Sequence, residues 1–165
     1  MTGCECCHRG GNATQNPLIK VIESELSQFG MSNAKLVHES YDPQNFGNAE
    51  AIYKLGNVQL RFLRDRGDDI VDIGSASRPQ YFYNSYDVAV WADWISFDDL
   101  MKYYHAPINF ADPPTGPIFS LPKMISLIAR DLRLLNKAFS AEEFMSTNAE
   151  LKEIERKRIK STWNF

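Results

Sequence analysis

The sequence predicts an α+β domain: an antiparallel four- or five-stranded meander with an N-terminal helix and C-terminal helices packed on one face. Three observations predict it. A helical apolar pattern follows Asn16. Between Lys35 and Gly74 four strand candidates, of which Val58–Asp65 alternates clearly, are separated by Asp-Pro, Gly-Asn and Arg-Gly-Asp turn signals. From Ser120 onward the period is helical again, in two segments.

Residues 1–15 read as a flexible tail rich in Gly, Asn and Thr, and residues 16–165 as a single domain. Asn16 is a good N-cap, and Pro17 suits the first helical position. Leu18, Ile22, Leu26 and Phe29 give the first helix its apolar face, and Gly30 is placed to end it. The predicted strands are Lys35–Tyr41, Ala49–Leu55, Val58–Asp65 and Asp69–Gly74. Gly56-Asn57 is a two-residue hairpin signal, and short turns make neighbouring strands antiparallel. Val58, Leu60 and Phe62 point one way and Gln59 and Arg61 the other, which predicts one core face and one wet face.

Beyond the strands, Arg78–Tyr86 has room for a short fifth strand. Val88, Trp91 and Ile95 recur at helical spacing, and Ser96 is placed to cap a further short helix through Tyr104. His105–Gly116 contains Pro107, Pro113 and Pro114 and must be a loop. Ser120 with Pro122 opens a helix carrying Ile125, Ile128, Leu132 and Leu135. Ser140 with Glu143 forms a capping-box signature for a last helix, Ala141 to about Ile159, with Phe144, Leu151, Ile154 and Arg158 on one face.

Composition narrows the function classes. A chain of 165 residues is long enough to bury a real core. Hydrophobic content of 44% argues against wholesale disorder. No apolar run approaches the roughly 20 residues that cross a bilayer. The first residues, MTGCECCHRGGNATQNP, lack the apolar stretch of a secretory signal, so cytoplasmic residence is expected. A net charge of −3 argues against a dedicated nucleic-acid binder. Residues 61–120 carry 9 acidic and 5 basic side chains, whereas residues 121–165 carry 6 acidic and 9 basic. The middle of the chain is therefore acidic and its C-terminal part basic.

Candidate chemistry is sparse. Cys4, Cys6, Cys7 and His8 have the donor types of a zinc site. Four ligands this close in sequence do not easily enclose a tetrahedral ion, and no distant cysteine supplies a second pair. No metal or cofactor is therefore predicted. The chain contains no G-x-S-x-G elbow, P-loop or H-E-x-x-H. His38 and His105 are the remaining histidines, and no nucleophile is placed beside either. Arg66-Gly67-Asp68 matches a cell-adhesion tripeptide, but in this context it reads as a hairpin turn.

The acidic residues are more informative. Asp65, Asp68, Asp69 and Asp72 cluster around one predicted hairpin. They form either a solvated hairpin end interleaved with Arg64 and Arg66, or a negative patch that steers a basic protein partner. Tyr81 and Tyr83, alternating with Phe82, are candidate aromatic anchors beside them. Lys152, Arg156, Lys157, Arg158 and Lys160 complement the dipole of the last helix, and interleaved glutamates would repel phosphate.

An opening helix, then "AIYKLGNVQLRFLRDRGDDIVDIG", then "YDVAVWADW", then "IARDLRLLNKAFSAEEFMSTNAELKEIERKR" is an order of features that resembles small bacterial immunity proteins of toxin–immunity systems. The resemblance is architectural and spans about residues 17–160. It implies a non-catalytic protein that binds a cognate toxin domain and blocks its active site. The expected partner is thus a protein such as a basic toxin domain, with no nucleic acid and no membrane. Two alternatives stay open: a small enzyme whose site is assembled from His38 or His105 with an Asp, and a self-associating adaptor.

Overall fold

The computed structural model describes residues 15–77, 94–97, 99–101 and 119–163, with side chains in the last helix through residue 153 and at residues 156 and 157. The elements are α1 (Pro17–Gln28), β1 (Lys35–Asp42), β2 (Asn48–Leu55), β3 (Val58–Asp65), β4 (Asp68–Ser75), β5 (Ile95–Ser96), α2 (Leu121–Ala138) and α3 (Phe144–Trp163). The five strands form one antiparallel sheet in the order β1-β2-β3-β4-β5. The fold is α+β, as the sequence pattern predicts. The tail (residues 1–14), the Arg78–Tyr86 connection, Val88, Trp91, Tyr104 and the proline-rich 105–116 loop lie outside the described residues.

Asn16 fixes the first helix on the sheet. Its side-chain oxygen accepts the Leu18 N–H at 3.0 Å, which caps the helix. Its amide nitrogen donates to the backbone carbonyls of Ser40 and Glu50, both at 3.1 Å. One buried side chain thus ties α1 to β1 and β2 together. At the other end of the helix the Met31 N–H reaches the Leu26 carbonyl at 2.8 Å and the Gly30 N–H reaches Ser27 at 3.1 Å. With Gly30 at a φ of 76°, this is a Schellman ending, and it buries Met31 near Leu26.

The helices share the core with one face of the sheet. Leu18, Ile22 and Leu26 of α1 and Met124, Ile125 and Ile128 of α2 meet Ala51, Tyr53, Leu60, Phe62 and Ile73 in one cluster. Asn136 of α2 also holds the β2–β3 turn: its side-chain oxygen accepts the Asn57 N–H at 2.7 Å, and its carbonyl accepts from the Asn57 side chain at 3.0 Å. Gly56 is required there, because it has a φ of 63° and a Cβ would lie 2.3 Å from the Asn136 oxygen. Helix α3 starts at Phe144 rather than Ala141: the Ser140 hydroxyl accepts the Glu143 N–H at 3.3 Å and residues 141–143 form a turn.

Two expectations are corrected. Ile95 does not continue a helical face; it pairs with Ile73 in the two-residue strand β5. A strand this short has too few residues to show a period of its own. The helix expected after Ser96 is present in part, with residues 97 and 99–101 helical and the Ser96 hydroxyl accepting the Asp99 N–H at 3.3 Å. The second correction concerns the face expected to be wet. Ile52, Gln59 and Arg61 on that face are each 1% exposed, so β2 and β3 are covered on both sides.

Replacing Asn16 with Ala removes the cap and leaves the buried Glu50 carbonyl and the partly buried Ser40 carbonyl without their donor. It should cost about 3 kcal/mol. Urea denaturation of Asn16→Ala should show a lower midpoint with an unchanged slope. A loss below about 0.5 kcal/mol would mean that the three bonds do not hold the helix.

Candidate functional site

The sequence-predicted acidic set divides when the strands are placed. Asp65 and Asp68 face each other across the two-residue turn Arg66-Gly67, and both are exposed. Asp69 is half-buried, and its two carboxylate oxygens take Arg64 Nε at 2.8 Å and Nη2 at 3.1 Å. Asp72 lies further along β4 and is 8% exposed. Three carboxylates therefore stay near the sheet end, and the fourth belongs to the interior. Tyr81 and Tyr83, the expected aromatic anchors, lie outside the described residues, as do His105 and the cysteines of the tail.

The β1–β2 and β3–β4 turns close the same end of the sheet. The Arg66 N–H donates to the Asn48 side chain at 3.1 Å, which joins the two turns. Both use left-handed backbone at a residue that is not glycine: Phe46 at a φ of 57° before Gly47, and Arg66 at 52° before Gly67. In the two-residue Arg66-Gly67 loop such paired left-handed residues are what the favoured hairpin turn needs, and Asn or Gly is the usual first residue; Phe46-Gly47 closes the five-residue 43–47 loop. Here the positions carry large side chains, and these two meet: the Arg66 guanidinium lies 5.6 Å from the centre of the Phe46 ring. Phe46 is nevertheless 75% exposed. Asp42, also exposed, folds the β1–β2 turn by accepting the Gln44 and Asn45 N–H groups at 3.0 and 3.2 Å. The tip thus presents one aromatic ring and one cation among Asp42, Asp65 and Asp68. The exposed Phe in the Gln-Asn-Phe-Gly-Asn loop is the functional candidate that periodicity misses. A bulky residue directly before a turn glycine is the signal that finds it.

The second face of the sheet holds a buried charge. Arg61 donates to one oxygen of Asp72, from Nε at 3.0 Å and from Nη2 at 2.5 Å. The two residues are directly opposite in the β3–β4 ladder. The Trp94 ring lies over the guanidinium at 4.8 Å and rests on Gly74, where a Cβ would come within 3.0 Å of the indole. Burial pushes the Asp72 carboxyl above its ordinary range, against the pull of Arg61, and Asp99 pushes it the same way. A cavity of about 290 Å³ opens beside the pair, lined by Arg61, Asp72, Trp94, Ser96, Asp99 and Lys152. Its two cations and two carboxylates offer no net charge to a ligand.

Glu50 is the other buried acid among the described residues, 7% exposed. Burial raises its pKa, and the nearby Arg61 and His38 side chains only partly oppose this. His38 Nε2 lies 3.7 Å from the Glu50 carboxylate, beyond hydrogen-bonding distance. Among the described residues no group of three or more His, Cys, Asp or Glu is arranged to hold a metal ion. No helix among them is long and apolar enough to cross a membrane.

The raised pKa of Glu50 fixes a sign. The folded chain binds that proton at higher pH than the unfolded chain does. The contribution of Glu50 to stability is therefore fully present below the ordinary carboxylate range and is lost as pH rises through the raised value. Glu50→Gln removes this dependence. Its melting temperature relative to the parent chain should be highest near pH 8 and should fall steadily toward pH 4. A difference that grows on acidification would reverse the assignment.

No family model, no curated protein and no solved structure matches the chain.

Proposed function

We propose that the chain is a non-catalytic protein-binding module of the immunity type, which blocks a cognate bacterial toxin domain by docking the acidic end of its sheet on a basic surface of that domain. One observation carries the proposal: Phe46 is 75% exposed, in left-handed backbone, beside the exposed pair Asp65 and Asp68. Each feature works against stability. Exposing the ring forgoes burial, left-handed backbone disfavours a bulky residue, and like charges opposite each other repel. Local rules broken together at one place mark a functional surface more often than a structural one. Aromatic side chains anchor interfaces, and surrounding carboxylates steer a basic partner while repelling nucleic acid and anionic lipid.

The test starts from the neighbouring reading frames: a toxin domain found there is co-expressed with the chain, and binding kinetics are measured on the purified pair. The parent chain should protect the cell. Asp65→Lys with Asp68→Lys should slow association about tenfold at low salt, with the difference shrinking as salt rises. Phe46→Asn should speed dissociation roughly tenfold or more without lowering the melting temperature. A parent chain that gives no protection, or variants that protect equally, would overturn the proposal.

A further inference from the structure

Strand β1 forms one edge of the sheet and is eight residues long, whereas β5 at the other edge has two. Lys35, Leu36, Val37, Glu39, Ser40 and Asp42 are exposed, and among the described residues no strand pairs with the outer side of β1. Such an edge offers a row of backbone donors and acceptors to another strand. Two irregularities bound it. The ladder shifts register between Leu36 and His38, which makes Val37 the extra residue of a bulge. Pro43 follows Asp42 and has no N–H. Residues 38–42 between them are regularly paired with β2.

The direction of the backbone groups follows from one side chain. Ser40 and Glu50 are directly opposite, and both of their carbonyls meet the Asn16 amide nitrogen at 3.1 Å. One atom reaches both only when both carbonyls lie between β1 and β2. Successive residues of an antiparallel strand turn their N–H and C=O groups to alternate sides. Those of Glu39 and Tyr41 therefore point away from β2, and an added strand must bond through them.

These constraints select a partner that is self-complementary. When a strand pairs with its own copy antiparallel, the two-fold axis passes between one residue and the same residue of the copy. Centred on Glu39, the pairing opposes like charges. Centred on Tyr41 or Asp42, it sets Pro43 against a residue that needs an N–H. Centred on His38, it sets the bulge against Glu39. Centred on Ser40, it meets none of these obstacles. Glu39 then bonds with Tyr41 of the second copy, and His38 faces its Asp42. One Asp42 oxygen accepts the Gln44 and Asn45 N–H groups of its own turn, which leaves the other for the imidazole N–H. Exposed Val37 comes beside Pro43 of the second copy, so the bulge and the proline end the pairing together.

We propose that β1 pairs with β1 of a second copy of this chain, antiparallel and centred on Ser40, which joins two sheets into one. The axis is perpendicular to the sheet, so the two Phe46 tips point in opposite directions and both stay open. The dimer concerns the free chain and does not rest on the toxin-blocking proposal.

Sedimentation equilibrium of the full chain under reducing conditions tests the pairing. The average mass should rise from one chain toward two between about 10 µM and about 1 mM, as for a small transient interface. Ser40→Lys sets like charges opposite each other and should weaken the dimer about fivefold, with an unchanged melting temperature. A disulfide reads the register. In a chain with Cys4, Cys6 and Cys7 replaced by serine, Ser40→Cys should cross-link under mild oxidation, because the Cα atoms of such a non-hydrogen-bonded pair lie about 4.5 Å apart. Glu39→Cys sits diagonally to its copy and should cross-link roughly tenfold more slowly. A chain that stays monomeric at about 1 mM, a dimer unaffected by Ser40→Lys, or equal cross-linking at the two positions would overturn the inference.

Discussion

Arg61 sits on the central strand with 1% of its surface exposed, and much of that face of the sheet is organised around its charge. A buried guanidinium is tolerated only when a carboxylate meets it at short range. Asp72 does so from the neighbouring strand, at a position that the β3–β4 register places directly opposite. Trp94 then closes over the pair, and it can lie flat because Gly74 has no side chain beneath the ring. The two-residue strand β5 follows at once and pairs with β4, so the indole and the last strand are positioned by the same short segment. Glu50, also within electrostatic reach of Arg61, becomes a second buried acid on this face.

With both faces of the middle strands covered, the ends of the sheet take different roles. At the β2–β3 end, Asn136 of α2 holds the Gly56-Asn57 turn through two hydrogen bonds. The opposite end has Phe46 exposed beside the Arg66 guanidinium, with the carboxylates of Asp65 and Asp68 in solvent. The same sheet therefore has one turn fastened to the core and two turns that project from it. This asymmetry is what makes the tip a candidate surface.

Strand positions were legible because Val58, Leu60 and Phe62 of β3 alternate with Gln59 and Arg61, and because the turns on either side of β3 carry glycine at the required places. The caps of α1 were legible at both ends, since Asn-Pro and a following glycine are local signals. The coverage of the second face was not. Alternation places Gln59 and Arg61 opposite the core, and a charged residue there reads as solvated unless its partner is known. That partner, Asp72, is eleven residues away in sequence, and only the register shows that it faces Arg61 rather than solvent. For the same reason the sequence grouped Asp72 with Asp65 and Asp68, which lie at the turn.

A double-mutant cycle on Arg61 and Asp72, read by urea denaturation, tests this account most directly. Arg61→Met and Asp72→Leu should each cost about 3–5 kcal/mol, because each leaves one buried charge without its counterpart, and the double variant should recover most of that loss. Costs that add to within about 0.5 kcal/mol would contradict the account, since they would mean that the two charges do not depend on each other and that the covered face is held by something else.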